Sequence, residues 1–145
     1  MFESLLLFRN QDCSYNNEYI ILEDLTGNYD KACILDLKMG TRMYKDSASP
    51  AKRESQDRKC RNSTSHKLGV RLCGSYWYNP RTGQTCKTDK YMGRTLNVLE
   101  FETAFLTFFS DGHKLRKTIM LQLLRQIEEL KISVAAMDTY RFYSR

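Results

Sequence analysis

In Leu35-Asp36-Leu37-Lys38-Met39-Gly40, a carboxylate, an ammonium and a glycine follow one another at steps of two residues. Side chains alternate faces along a strand, so Asp36 and Lys38 point the same way there. A carboxylate so placed can accept a hydroxyl proton or orient a nucleophile. An ammonium beside it can neutralise charge on a phosphoryl group in flight. Gly40 permits a turn in which backbone comes close to a ligand. The spacing D-x-K-x-G is short enough to recur by chance, and a surface salt bridge at a strand end is the plainer reading of spacing alone. The neighbours raise the stakes. Cys33, Ile34, Leu35 and Leu37 surround Asp36, and a charge within such a strand is costly unless it is paired or serves a site.

Other chemistries lack their motifs. The chain has no G-x-x-x-x-G-K-[ST] loop, no G-x-S-x-G elbow, no dinucleotide fingerprint, and neither H-R-D nor D-F-G. Its five cysteines, Cys13, Cys33, Cys60, Cys73 and Cys86, are an odd number with no two closer than thirteen residues. Only His66 and His113 could assist them, so reduced structural thiols are expected and no metal-ligating set is assigned. The net charge is +6 and the pI about 9.1, which calls for a polyanionic partner without naming it. Nucleic acid, acidic lipid headgroups and a highly phosphorylated small molecule all satisfy that requirement.

The elements that position these residues follow from pattern. The 145 residues are 41% hydrophobic and 28% charged, enough for one globular α+β domain rather than a disordered chain. No apolar run approaches the ~20 residues that cross a membrane. Leu5 to Phe8 is too short for a signal-peptide core and Glu3 precedes it, so an intracellular chain is expected. Tyr19 to Leu22 reads as a buried strand, Glu23 to Asn28 as a polar connector, and Ala32 to Lys38 as a second strand. Ser49 caps a helix, Pro50 opens it, and it runs to about Asn62. Between Lys38 and Lys67 stand nine bases (Lys38, Arg42, Lys45, Lys52, Arg53, Arg58, Lys59, Arg61, Lys67) against three acids (Asp46, Glu54, Asp57). The difference equals the chain's whole net excess.

Leu68 to Leu72 is a further strand candidate. Tyr76-Trp77-Tyr78 and Gln84 to Asp89 form the arms of a hairpin around Asn79 to Gly83. Asn97 with Glu100 makes a capping box for a helix whose apolar face is Val98, Phe101, Phe105 and Phe108, with Gly112 as its stop. A long helix from about Lys114 to Met137 carries the stripe Leu115, Ile119, Leu123, Ile127, Leu130 and Val134, which reads as a core face. The expected order is β-β-α-β-β-β-α-α.

The segment Ala32 to Arg42 closely resembles the P-x-x-x-D-x-K-x-G signature of the inositol polyphosphate kinases. Resemblance continues in order through the chain. Tyr19 to Leu25 is similar to the family's strand and hinge, and Lys59-Cys60 with Ser63-Thr64-Ser65 to its substrate-side helix exit. Leu68 to Gly74, Lys90 to Arg94 and Tyr140 to Ser144 are also similar, all closest to the inositol hexakisphosphate kinase branch. The resemblance implies a partial two-lobed fold, distantly protein-kinase-like, made mostly of hinge, substrate helix and C-lobe. It implies transfer of the ATP γ-phosphate, with Mg²⁺, to an inositol polyphosphate, and in this branch to inositol hexakisphosphate, giving a pyrophosphate. Asp36 and Lys38 match the catalytic carboxylate and the phosphate-binding lysine. Glu23, Asp24 and Leu25 match the hinge that holds adenine and ribose. Lys38, Arg42, Arg58 and Lys59 are carried over as substrate-binding.

Departures qualify the picture. Ala32 replaces the signature proline, which removes backbone rigidity but no reacting group. Lys45 and Ser47 replace the Gly and Asp of the branch's G-T-R-x-x-G-D-D-A-S stretch. In the family an N-terminal lobe precedes the hinge, and S-S-L-L and I-D-F follow the equivalent of Ser144. Residues 1–145 are therefore expected to form one incomplete domain, with 1–16 a poorly matched remnant, 17–144 family-like, and the main metal ligand outside the chain. Cytoplasmic or nuclear placement is expected. A noncatalytic module that binds inositol phosphates is the alternative. Nucleic-acid binding through the bases and Tyr76-Trp77-Tyr78 is the weaker one, since aromatics are ordinary strand residues.

Overall fold

A computed structural model describes residues 5–9 and 19–144, with side chains from Leu22 onward. The chain forms two compact units, Met1–Ala32 and Cys33–Arg145. In the first, β1 (Leu5–Arg9) and β2 (Tyr19–Glu23) pair antiparallel, with Leu5 opposite Glu23 and Arg9 opposite Tyr19. β2 ends where the Asp24 carboxylate accepts hydrogen bonds from the Thr26 backbone N–H (2.9 Å) and hydroxyl (2.7 Å). This local turn competes with continued pairing and stops the strand.

The second unit holds β3 (Ile34–Met39), α1 (Pro50–Arg61), α2 (Ser65–Leu68), β4 (Val70–Asn79), β5 (Gln84–Thr88), α3 (Lys90–Thr95), α4 (Val98–Phe108) and α5 (Lys117–Ala135). Its sheet is antiparallel in the order β3-β4-β5. The signals with a definite mechanism land where expected. Ser49 caps α1 by accepting from the Lys52 N–H, and Pro50 takes the first helical position. Asn97 and Glu100 exchange both hydrogen bonds of a capping box at 2.8 and 3.0 Å. The hairpin turn lies between Asn79 and Gln84, with Gly83 at φ +69°.

Other expectations are corrected. The two strand candidates, Leu68 to Leu72 and Tyr76 to Tyr78, are one strand, β4, because a bulge at Cys73 lets the ladder continue past Gly74. The helices α2 and α3 are four and six residues long, too short to show a period. α4 ends at Phe108, before Gly112. Asp111 draws the following chain into a turn by accepting from the His113 and Lys114 N–H groups, both at 2.9 Å.

Among the described residues the buried apolar ones are Met43, Cys60, Leu72, Phe101 and Phe109, and burying a Met, Leu or Phe side chain is worth about 1.5–3 kcal/mol. Phe101, Phe105, Phe109 and Phe108 form, in that order, a continuous aromatic row, with successive ring centroids 6.2, 4.9 and 5.1 Å apart. The long C-terminal helix is not a core helix among the described residues. No residue of α5 is buried, and Ile119, Leu123, Ile127, Leu130 and Val134 are 36–59% exposed. Periodicity shows which face a helix can bury, not whether a partner lies against it.

Candidate active site

β3 carries Asp36 and Lys38 on one face. Asp36 is exposed and Lys38 half-buried. Across the ladder Asp36 faces Gly74, and a β-carbon built on Gly74 would lie 4.0 Å from the Asp36 β-carbon. With no side chain there, the space beside the carboxylate stays open on the β4 side. Past the bulge, Lys38 faces Arg71. The opposite face, through Leu35, Leu37, Leu72 and Ser75, is covered, with Leu72 and Ser75 buried; on the Asp36 face the open part is the end at Asp36 and Gly74, since Arg71 opposite Lys38 is itself buried.

The strand then turns at Gly40 (φ +95°), whose N–H donates to the Gly69 carbonyl. A non-glycine residue is strained at that φ. The loop that follows docks on the C-terminal segment. The Ser144 N–H donates to the Arg42 carbonyl at 2.9 Å. Asp46 is the hub. Arg42 donates to one of its oxygens, while Arg141 (2.8 Å) and the Tyr143 hydroxyl (3.2 Å) donate to the other. The Arg42 guanidinium also lies over the Tyr44 and Tyr143 rings, 4.9 and 5.2 Å from their centroids. The hydrogen bond from Arg42, helped by that from Tyr143, holds the Asp46 carboxyl below the usual carboxylate range. The same hydrogen bond raises the Arg42 guanidinium. Arg42 is therefore a fixed cation with a resident carboxylate rather than a free arm.

α1 presents its bases differently from a simple charge count. Arg58 and Lys59 are exposed, and with Arg61 they fill the last turn, where cations also favour the helix dipole. Arg61 pairs with Glu54 at 2.8 Å. An open cleft of about 340 Å³ lies between α1 and the loop after β3, lined by Arg42, Asp57, Arg61, His66, Thr41 and Tyr44 among others. Arg42 lies in it, whereas Arg58 and Lys59 do not. Arg61 and His66 were not singled out from the sequence as site residues. The signal was available, since Asp57 and Arg61 are four apart and share a helix face.

In the first unit, Glu23 closes β2, Asp24 shapes the turn, and Leu25 is 75% exposed. Among the described residues no three His, Cys, Asp or Glu side chains converge to hold a metal ion. No step is derived through a metal ion. No helix among them is long and apolar enough to cross a membrane.

A carboxylate and a lysine on one strand face, next to a base-lined cleft, make a site suited to phosphoryl groups. The sequence model of the inositol polyphosphate kinase family matches residues 19–145, and the chain belongs to that family. It is 43% identical over 136 residues to human inositol hexakisphosphate kinase 2, covering 92% of this chain and 32% of that protein. It is 40% identical over 128 residues to mouse inositol hexakisphosphate kinase 3, covering 88% and 32%. The chain thus spans about a third of the length of the relatives it matches. Among solved structures, an inositol phosphate multikinase from S. cerevisiae in complex with ADP and Mn²⁺ superposes with a TM-score of 0.61 at 25% identity. That match covers 79% of this chain and 49% of the other. The chain therefore has part of the inositol polyphosphate kinase fold.

Proposed function

We propose that the chain contributes the acceptor side of an ATP-dependent inositol phosphate kinase, with inositol hexakisphosphate as acceptor and an inositol pyrophosphate as product. The observation that carries this reading is the open face of β3, where Asp36 and Lys38 stand together and Gly74 leaves room beside the carboxylate. The kinship with inositol hexakisphosphate kinases supports the choice of acceptor.

In this reading Asp36 orients the acceptor oxygen and takes its proton where it carries one. Lys38 offsets the charge of the transferring phosphoryl group. Arg58 and Lys59 attract the remaining phosphates by charge-assisted hydrogen bonds, while Arg42 and Arg61, each paired with a carboxylate and lining the cleft, add to its positive field. For the nucleotide, the exposed Leu25 offers an apolar surface to a flat ring, while Glu23 and Asp24 shape the hinge around it. When bound, Mg²⁺ supplies charge neutralisation between phosphates. Placement in the cytoplasm, the nucleus or both belongs to the same proposal.

A second reading, a noncatalytic module that binds inositol phosphates, is favoured by the excess of bases between Lys38 and Lys67 and their concentration at the end of α1. One paired experiment separates the two. Inositol hexakisphosphate is titrated into the chain by calorimetry at low salt, and ATP consumption is followed with the same acceptor and Mg²⁺. Binding with turnover supports the kinase, binding without turnover the module, and no binding refutes both.

A further inference from the structure

Arg71 is the one charged side chain among the described residues that is buried, at 3% exposure. Its Nε and Nη1 are enclosed and have no hydrogen-bond partner. Arg71 takes no part in the ion pairs that Arg42, Arg61 and Arg141 make. An enclosed guanidinium without an anion is costly, and a fold keeps one only against some return.

Its placement is also specific. Asp36 faces Gly74, and an even antiparallel ladder would then set Leu72 opposite Lys38. The ladder is not even. Leu37 faces Leu72, so Cys73 is an extra residue on β4, and Lys38 faces Arg71. The bulge thus exchanges a leucine for an arginine at the one position opposite Lys38. Directly opposed side chains have β-carbons about 4.5–5.5 Å apart, and like charges there repel. Bulges are common beside functional sites, where they re-aim a side chain. Two cations brought together in this way, one of them buried and unpaired, make a strong local field for an anion.

We propose that Arg71 is the second cation of a phosphate subsite centred on Lys38, and that a phosphoryl group held by Lys38 is the counter-anion Arg71 lacks. This rests on the reading of Asp36 and Lys38 as the phosphoryl site. Because Nε and Nη1 are enclosed, Arg71 acts through its field and through Lys38. It is placed as a positioning residue, acting through Lys38.

The test uses the full 145-residue chain, inorganic tripolyphosphate as probe, calorimetry at low salt, and thermal melts without ligand. Arg71→Met should weaken tripolyphosphate binding about fivefold or more and leave the ligand-free Tm unchanged or raised, since an unpaired charge has been removed. Arg71→Lys should restore most of the affinity. A ligand-free Tm that falls in Arg71→Met, including outright failure to fold, would show that Arg71 is kept for the fold's own packing and would overturn the proposal. Unchanged affinity in Arg71→Met would overturn it too. Lys38→Met separates the two readings. Affinity lost in Lys38→Met but kept in Arg71→Met removes the role of Arg71 alone. Affinity kept in both removes the phosphoryl site itself.

Discussion

Replacing Gly93 with alanine should destabilise the chain, against the usual sign for a helical glycine. In an open helix that change gains about 1 kcal/mol. Gly93 sits in α3, which Asp89 caps by accepting from the Tyr91 and Met92 N–H groups at 2.8 and 2.9 Å. A β-carbon on Gly93 would lie 2.2 Å from the Leu72 carbonyl oxygen and 2.9 Å from its carbonyl carbon. Both are backbone atoms of β4, paired with β3 at Leu37, so neither can swing aside as a side chain would. α3 must move off the sheet by roughly an ångström. Overpacking of this kind costs about 1–3 kcal/mol, and the upper end applies because backbone meets backbone. After the helix gain, the net loss is about 2 kcal/mol, or roughly 7 °C in Tm for a domain of this size. Thermal melts followed by circular dichroism measure it directly. Gly74→Ala is the control, because its β-carbon would make only ordinary contacts, at 3.6 Å from the Thr88 carbonyl oxygen and 4.0 Å from the Asp36 β-carbon. Its Tm should stay within a few degrees of wild type. A Gly93→Ala chain as stable as wild type would refute the close packing of α3 on β4.

Two further outcomes follow from the geometry. The depressed Asp46 carboxyl contributes stability that is fully present above its ordinary value, near pH 4, and fades as pH falls through the lower folded-state value. The Tm gap between wild type and Asp46→Asn should therefore narrow below about pH 4 at low salt, and a gap constant from pH 6 to pH 2.5 would contradict the Arg42–Asp46–Arg141 cluster. Phe101→Ala should cost about 3 kcal/mol by urea denaturation, since Phe101 is 8% exposed, whereas Leu123→Ala on the exposed stripe of α5 should cost under about 1 kcal/mol. Equal costs would restore α5 as a core helix.

What could be read from the sequence divides along physical lines. Ser49-Pro50 and Asn97 with Glu100 act through hydrogen bonds within four residues, so their helices began where the residues said. Pro80 and Gly83 act within a single turn, and the hairpin closed there. The bulge at Cys73 is a property of the pair β3–β4, and no residue of β4 announces it alone. Gly74 instead reads as a break, which is why one strand appeared as two. The same bulge hid Arg71, because its partner Lys38 lies thirty-three positions back in the chain. Asp36 and Lys38 were legible because they are two apart on one strand. The tie between Arg42 and Asp46 lay within one four-residue spacing, but the ties from Arg141 and Tyr143 to Asp46 cross more than ninety positions and were not. The stripe on α5 was read correctly as a pattern and wrongly as a buried face, since burial belongs to a partner that a pattern cannot supply.

The central proposal is that Asp36 on β3 serves phosphoryl transfer to the acceptor. Radiolabelled phosphate transfer from γ-labelled ATP to inositol hexakisphosphate, measured for the wild-type chain and for Asp36→Asn beside calorimetric binding of the acceptor, tests it most directly. The account predicts labelled product from wild type, a fall of about a hundredfold or more in Asp36→Asn, and acceptor affinity unchanged within about twofold, since the substitution removes a base and not a cation. Equal labelled product from both chains, or loss of acceptor binding in step with loss of transfer, would contradict it.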